Sequence, residues 1–429
     1  MPAPRLRYML WFPPQDQTRQ MPHLAPQHRL PRNVCLLIGA RAVRSVGQGA
    51  LVAAFTLYLN ALGWSASAIG AVLMSALLFS ILLTAIAGPL SDHGHRRTFL
   101  LGYEIVQGLV AIVALTTTTP WLLVGAAVIG GFGRGGNGSA GPFSPIEQAW
   151  LAIELPMSKR GSVFSTNSAV GLIGMGVGAF LAALPTLWIG HVMRAQDYRL
   201  LFLLPLAGAL TGFALLWAAR EPDIVVRADR DEASLRTHRA ENRLLAKLML
   251  ANTINGFAIG LTGPLIAYWF AIRFHRGLLE IGPGLAVAFL VSAAGALTAG
   301  ALARRHGIMT TVIWMRGLGV LFLFALPLVP WFWLAMLLYI ARGAVNRGTG
   351  GVRQALAAGL TRVERRGFAS SLQNISLQLP RAIGPAVGGV LFHAGYLSLP
   401  FLLGAVLQLV YLILYARFFG SHPAARAHA

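Results

Sequence analysis

Residues 128 to 142, VIGGFGRGGNGSAGP, place Arg134 and Asn137 among glycines directly behind an apolar run. Two chemistries use such a stretch. Gly133 to Gly138 has the G-x-G-x-x-G spacing of a loop that cradles a phosphate, but that loop needs a strand before it and a soluble helix after it. The preceding PWLLVGAAVIGG is half of a membrane helix. The alternative is close-packed membrane helix with a charge inside it, and a guanidinium in hydrocarbon is costly unless it meets water, a partner or a ligand. Arg134 and Asn137 are therefore candidate ligand-binding residues. An arginine bonded to carbonyls, or snorkelling to the surface, is the competing reading.

Other polar side chains recur at helical spacing inside apolar stretches. Arg342 and Asn346 lie one turn apart, and Asn374, Gln378 and Arg381 share one helix face. Asn252 and Asn255 form a third set, while Arg41, Arg44 and Gln48 run along one side of the first apolar run. A polar stripe in a membrane helix lines protein or water rather than lipid. Arg342, Asn346, Asn252, Asn255, Gln48, Asn374, Gln378 and Arg381 thus join the binding candidates, and Arg134 is expected to face Arg342 across the centre. Arg41 and Arg44 sit close enough to a helix end to snorkel. Glu104 is the acid clearly inside an apolar run and the candidate proton carrier, with an ion-paired or snorkelling Glu104 as the alternative. No metal-ligand spacing such as H-E-x-x-H is present, so neither a metal nor a cofactor is expected.

The elements that must position these groups follow from composition. The 429 residues are 56% hydrophobic and 11% charged, and the mean hydropathy is +0.63, which reads as an all-α integral membrane protein. A crossing helix needs about 20 apolar residues. Twelve runs qualify, from 35–60 to 398–418, with 121–142 as the fourth, 245–271 as the seventh and 331–350 as the tenth. A net charge of +21 would suggest nucleic acid in a soluble protein. Here Lys and Arg gather on the even-numbered connections and the tails, the positive-inside signal, so both termini are expected in the cytoplasm, at a bacterial inner membrane, with no nucleic-acid partner. Residues 1–34 read as a cytoplasmic tail, 35–218 as a six-helix bundle, 219–244 as a charged linker, 245–418 as a second bundle and 419–429 as a C-terminal tail.

Two internal matches relate the bundles. GPLSDHGHRRTFLL from Gly88 parallels GALARRHGIMTTVI from Gly300, and EQAWLAIELPMSKRG from Glu147 parallels RQALAAGLTRVERRG from Arg353. In this register Asp92 meets Arg304, Glu104 meets Arg316 and Glu147 meets Arg353. Gly88, Leu90, Asp92, Arg96 and Arg97 match the G-x-L-A-D-R-x-G-R-R signature after the second helix of major facilitator superfamily transporters. Arg134 and Gly138 are similar to that family's R-x-x-Q-G pattern in the fourth helix. Over roughly residues 33–420 the chain resembles this superfamily.

The resemblance implies twelve transmembrane helices in two pseudo-symmetric six-helix bundles, and a secondary transporter that alternates access to a midplane site. It also implies a cytoplasmic gate at Asp92, Arg96 and Arg97, with Gly88, Gly300 and Arg304 at equivalent turns and Glu147 and Glu154 expected to pair with Arg96 or Arg97. Export of a small organic solute in exchange for protons is a common role in the family. An interior rich in arginine and poor in acids points alternatively to an anionic metabolite. The expected partners are a small-molecule substrate and the lipid bilayer, with a monomer as the working unit. A membrane-embedded enzyme would need clustered His, Asp, Glu or Cys, and the histidines lie mainly in tails and loops.

Overall fold

The computed structural model describes residues 30–91, 95–134, 141–189, 193–221, 235–349 and 366–419, and every regular element among them is helical. The first half comprises α1 (Arg32–Ala61), α2 (Ala66–Ser91), α3 (Arg96–Thr116), α4 (Pro120–Gly130), α5 (Ser144–Glu154), α6 (Met157–Ala183) and α7 (Leu203–Ala218). The second comprises α8 (Leu235–Thr262), α9 (Ile266–Phe274), α10 (Leu278–His306), α11 (Ile308–Ala325), α12 (Phe332–Gly348), α13 (Arg366–His393) and α14 (Leu399–Phe419). Among the described residues ten helices are long and apolar enough to cross a membrane. The broken fourth span and the shorter α12 make the arrangement consistent with twelve crossings. Trp121, Trp188, Trp217, Trp331 and Trp333 are exposed near helix ends, where indole rings sit at a membrane interface.

Three expected boundaries differ. The fourth span is not one helix over 121–142: α4 stops at Gly131, whose φ of 63° is left-handed, and the chain resumes helically at Ser144 with Pro145 in the first turn. Left-handed backbone suits glycine, and proline suits a helix start, so the sequence places its stop and start signals at the two edges of the break. The seventh span bends after Thr262 and continues as α9. In addition, α8 begins at Leu235, inside the stretch expected to be a linker.

Small residues set the closest approaches. A Cβ at Gly49 would meet the backbone of Met175, and one at Gly174 would lie 2.7 Å from the Ala42 carbonyl, so α1 and α6 touch backbone to backbone. Gly256, Gly260 and Gly384 do the same between α8 and α13. The halves meet through Gly70 and Gly389, between α2 and α13, and through Gly282 and Ala179, between α10 and α6. These contacts lie toward the face opposite the chain termini, hereafter the distal face.

The apolar core follows the same division. One cluster spans both halves on the distal side, joining Phe55, Tyr58 and Phe202 to Trp269, Phe289 and Phe401. Toward the terminal face, among the described residues, it gives way to two separate clusters. One holds Leu37, Leu100, Trp150 and Leu216 of the first half, the other Leu248, Val312, Tyr411 and Phe419 of the second.

Candidate functional site

Arg44 of α1 is 6% exposed and is held from two sides. Its Nε donates to Glu104 Oε1 of α3 at 2.8 Å, and its Nη1 to Glu147 Oε2 of α5 at 3.2 Å. Arg41 Nη1 lies 3.8 Å from Glu147 Oε1, to which Asn167 Nδ2 donates at 3.3 Å. Two arginines and two glutamates therefore make a buried, neutral cluster across α1, α3 and α5. The expectation that Arg41 and Arg44 snorkel is corrected: acids on two other helices hold them inside, where their separation from water is offset by ion pairing and hydrogen bonds. Glu104 takes the ion-paired alternative and faces inward, with Gly212 of α7 leaving room for its carboxylate. The expected pairing of Glu147 and Glu154 with Arg96 or Arg97 is also corrected. Glu154 accepts from Asn33 Nδ2 at 2.8 Å and from Trp150 Nε1 at 3.2 Å.

Arg96 and Arg97 open α3, and their backbone amides both donate to the Glu221 carboxylate at 3.0 Å. An acid at a helix start meets free amides and the positive end of the helix dipole. Arg97 stacks on Trp217 and donates to the Trp217 carbonyl at 2.6 Å. The described gate candidates of the first half are thus fastened within that half. Arg304 is exposed on the last turn of α10, and Gly300 lies one turn before it. Gly88 lies in the last turn of α2. Asp92, Asn137 and Arg353 lie outside the described residues.

Arg134 occupies the break between α4 and α5. Nη1 donates to Ser80 Oγ at 3.2 Å and Nη2 to Tyr103 Oη at 3.0 Å. Gly131 and Gly141, both at positive φ, flank the guanidinium, and a Cβ on Gly141 would lie 3.1 Å from Nη1. Gly131 and Gly141 thus cradle the Arg134 side chain, and α4 ends at the left-handed Gly131 instead of running on as one helix. Arg134 turns toward α2 and α3, away from the expected position opposite Arg342.

Its counterpart in the second half is Arg347. Arg347 Nη1 donates to Ser292 Oγ at 3.2 Å and Nη2 to Tyr339 Oη at 3.1 Å, with the guanidinium 5.1 Å from the Phe289 ring centre. Ser80 and Ser292 are related by the offset that relates Gly88 to Gly300, and Arg134 and Arg347 by one residue more. That repeat is the sequence signal that identifies Arg347, which a reading of α12 by its polar stripe passes over in favour of Arg342 and Asn346.

The remaining candidates divide into two groups. Arg316 of α11 donates from Nη1 to Asn255 Oδ1 of α8 at 2.9 Å and stacks 5.3 Å from the Tyr411 ring centre. Arg44 and Glu104 occupy nearly the same repeat positions as Asn255 and Arg316, so the buried cation has changed helices between the halves. Asn252 is buried beside Asn255, and Asn346 turns toward Gln408 of α14 at 3.5 Å. In the second group Arg381 of α13, 5% exposed, donates to Gln378 Oε1 and to the Arg134 carbonyl, each at 3.2 Å. Gln48 is half-buried and Asn374 exposed. Among the described residues no carboxylate lies within ion-pairing distance of Arg134, Arg342, Arg347 or Arg381, and no His, Cys, Asp and Glu cluster could hold a metal.

Comparison with known proteins agrees with this architecture. The chain is 22% identical over 427 residues to an uncharacterized membrane protein of Saccharomyces cerevisiae, covering 91% of this chain and 94% of that one. A point mutant of the nucleoside transporter NupG superposes with a TM-score of 0.69 at 14% identity, over 90% of this chain and 99% of that one. A bacterial homologue of the iron transporter ferroportin, in an inward-facing state, gives 0.69 at 14% identity over 90% and 98%. The Major Facilitator Superfamily model matches residues 37–344 and 248–429. With that match over most of its length, the chain belongs to the major facilitator superfamily of membrane transporters.

Proposed function

We propose that this transporter carries an anionic small organic solute by alternating access, with one chain as the working unit. The observation that carries the reading is the contrast between two sets of buried arginines. Arg41 and Arg44 are neutralised by Glu104 and Glu147. Arg342, Arg347 and Arg381 meet only neutral groups among the described residues. A cation inside a membrane protein needs a counter-charge or water, and a solute that brings the charge provides it in the bound state.

The division of the core supports alternating access. Among the described residues, apolar packing joins the halves on the distal side and falls into two separate clusters on the terminal side, as expected of a transporter open toward the face that carries its termini. The gathering of Lys and Arg in connections on that face favours its being cytoplasmic. Counterflow in proteoliposomes, with organic acids, phosphorylated compounds, sugars and cations as competitors, is the test. Inhibition by anions alone supports the reading, and counterflow of neutral or cationic solutes that no anion inhibits rejects it.

Proton-driven export is a second reading, favoured by Glu104. Its Oε2 is buried with no hydrogen-bond partner among the described residues, and Arg44 also holds Glu147, so a proton on Glu104 leaves Arg44 one acid. Vesicles under an imposed pH gradient test it. Transport indifferent to the gradient rejects coupling, and a full response in Glu104→Gln moves the proton elsewhere.

A further inference from the structure

We infer that the groove between α2 and α3 binds one acyl chain of a bilayer phospholipid, recognised by its hydrocarbon rather than its headgroup. The groove holds about 610 Å³ and is walled by Phe79 and Leu83 of α2, Phe99 and Gly102 of α3, Ile129 of α4 and Phe143 at the start of α5. That volume lies within the ~300–1,000 Å³ of small-molecule sites. Along α3 the wall follows the helix axis, with Thr98, Gly102 and Val106 at i, i+4 and i+8 behind His95 at the terminal-face mouth. From His95 to Val106 it runs about 16 Å at 1.5 Å per residue. This is half of a hydrocarbon core roughly 30 Å thick, the depth of one leaflet.

The bilayer supplies the occupant. Val106 and Ile129 at the rim are 38% and 42% exposed and continue the exposed apolar surface of Leu82, Ile105 and Leu109, so the opening meets hydrocarbon rather than water. Beyond His95 and Thr98, the polar group on the wall is the Tyr103 hydroxyl, which already accepts from Arg134 Nη2 at 3.0 Å. Such a wall selects a chain, because a charged ligand would lose its water there with little in return. Gly102 leaves the floor open, since a Cβ on it would meet nothing within 4 Å. A bound chain packs on Tyr103 and Phe143, whose ring centres are 4.8 Å apart. The Arg44 guanidinium lies 5.4 Å from the same Tyr103 ring centre. The chain therefore braces the break between α4 and α5 where Arg134 and the neutral cluster share Tyr103.

The experiment uses native mass spectrometry and thermal unfolding of the purified full chain, with lipid added from mixed micelles of defined composition. Dioleoyl phosphatidylcholine is compared with its dihexanoyl analogue for the chain, and with dioleoyl phosphatidylglycerol and phosphatidylethanolamine for the headgroup. The expected result is one long-chain lipid retained about tenfold or more tightly than those that follow, with affinities for the three headgroups within about threefold of one another. Gly102→Leu projects into the groove and replaces glycine by a better helix former. It should abolish the retained lipid and the thermal stabilisation that comes with it. Gly161→Leu on α6, where a Cβ also meets nothing within 4 Å, should keep both. Val106→Trp at the rim gives the same readout should Gly102→Leu unfold. A retained lipid unchanged in the groove-filling variants overturns the site. Retention that follows the headgroup and ignores chain length overturns the assignment to an acyl chain. Lipids that all exchange with uniform affinity overturn it too, since they only solvate the surface.

Discussion

Arg381 donates to the backbone carbonyl of Arg134 at 3.2 Å, linking α13 of the second half to the break between α4 and α5 of the first. The carbonyl is available because the helix stops nearby and leaves acceptors without helical partners. Arg381 thus belongs to the junction between halves as well as to the buried arginines that meet no acid among the described residues. An anion drawn to Arg381 competes with that carbonyl.

Arg381→Lys should therefore lower solute affinity by about tenfold or more although the charge remains, because an ammonium cannot serve Gln378, the Arg134 carbonyl and a ligand in one plane. Titration calorimetry on the purified variant checks this. Wild-type affinity in Arg381→Lys would show that the fork is not used.

The neutral cluster of the first half makes a different prediction. Glu104→Ala leaves Arg44 with one acid in a buried site and should destabilise the protein by about 3–5 kcal/mol. Replacing Arg44 and Glu104 together by methionine should cost less than the single change, because no unmatched charge remains. Thermal unfolding in detergent measures both. A double variant as damaged as the sum of the singles would argue against the pair as a structural unit.

Gly131 and Gly141 leave space for Arg134, and both have positive φ. Alanine at either position should cost about 1–2 kcal/mol and displace the guanidinium from Ser80 and Tyr103. Gly125→Ala in α4, where a Cβ meets nothing within 4 Å, is the control and should be neutral or slightly stabilising. Equal behaviour of the three variants would remove the cradle.

At the distal junction a Cβ on Gly282 would lie 2.8 Å from the Ala179 carbonyl. Gly282→Leu should hold the halves apart on that side and shift the population toward distal opening. Labelling of a cysteine placed among the distal ends of α6 and α10 should accelerate severalfold over the same cysteine in the wild-type background. Unchanged labelling with a well-folded variant would mean that this contact does not govern closure.

Much of this protein is legible in its linear order. Hydrophobic length sets most of the spans, because a helix that crosses hydrocarbon must satisfy its own backbone. The repeat from Gly88 to Gly300 announces two related halves, and the spacing of Gly171, Gly174 and Gly178 announces close packing on α6. What periodicity does not decide is the direction in which each long polar side chain turns. Arg44 is near enough to a helix end in sequence to reach water, yet Glu104 and Glu147, distant along the chain, converge on it and keep it inside. Arg134 is legible as a charge in hydrocarbon, but only the left-handed turn at Gly131 aims it at Ser80 and Tyr103 rather than Arg342. Arg347 is easily missed because its partner Ser292 belongs to another helix. An arginine's long, flexible stem lets it serve several neighbours, so its role depends on which acids and hydroxyls the folded helices bring within reach, and that is a property of tertiary packing alone.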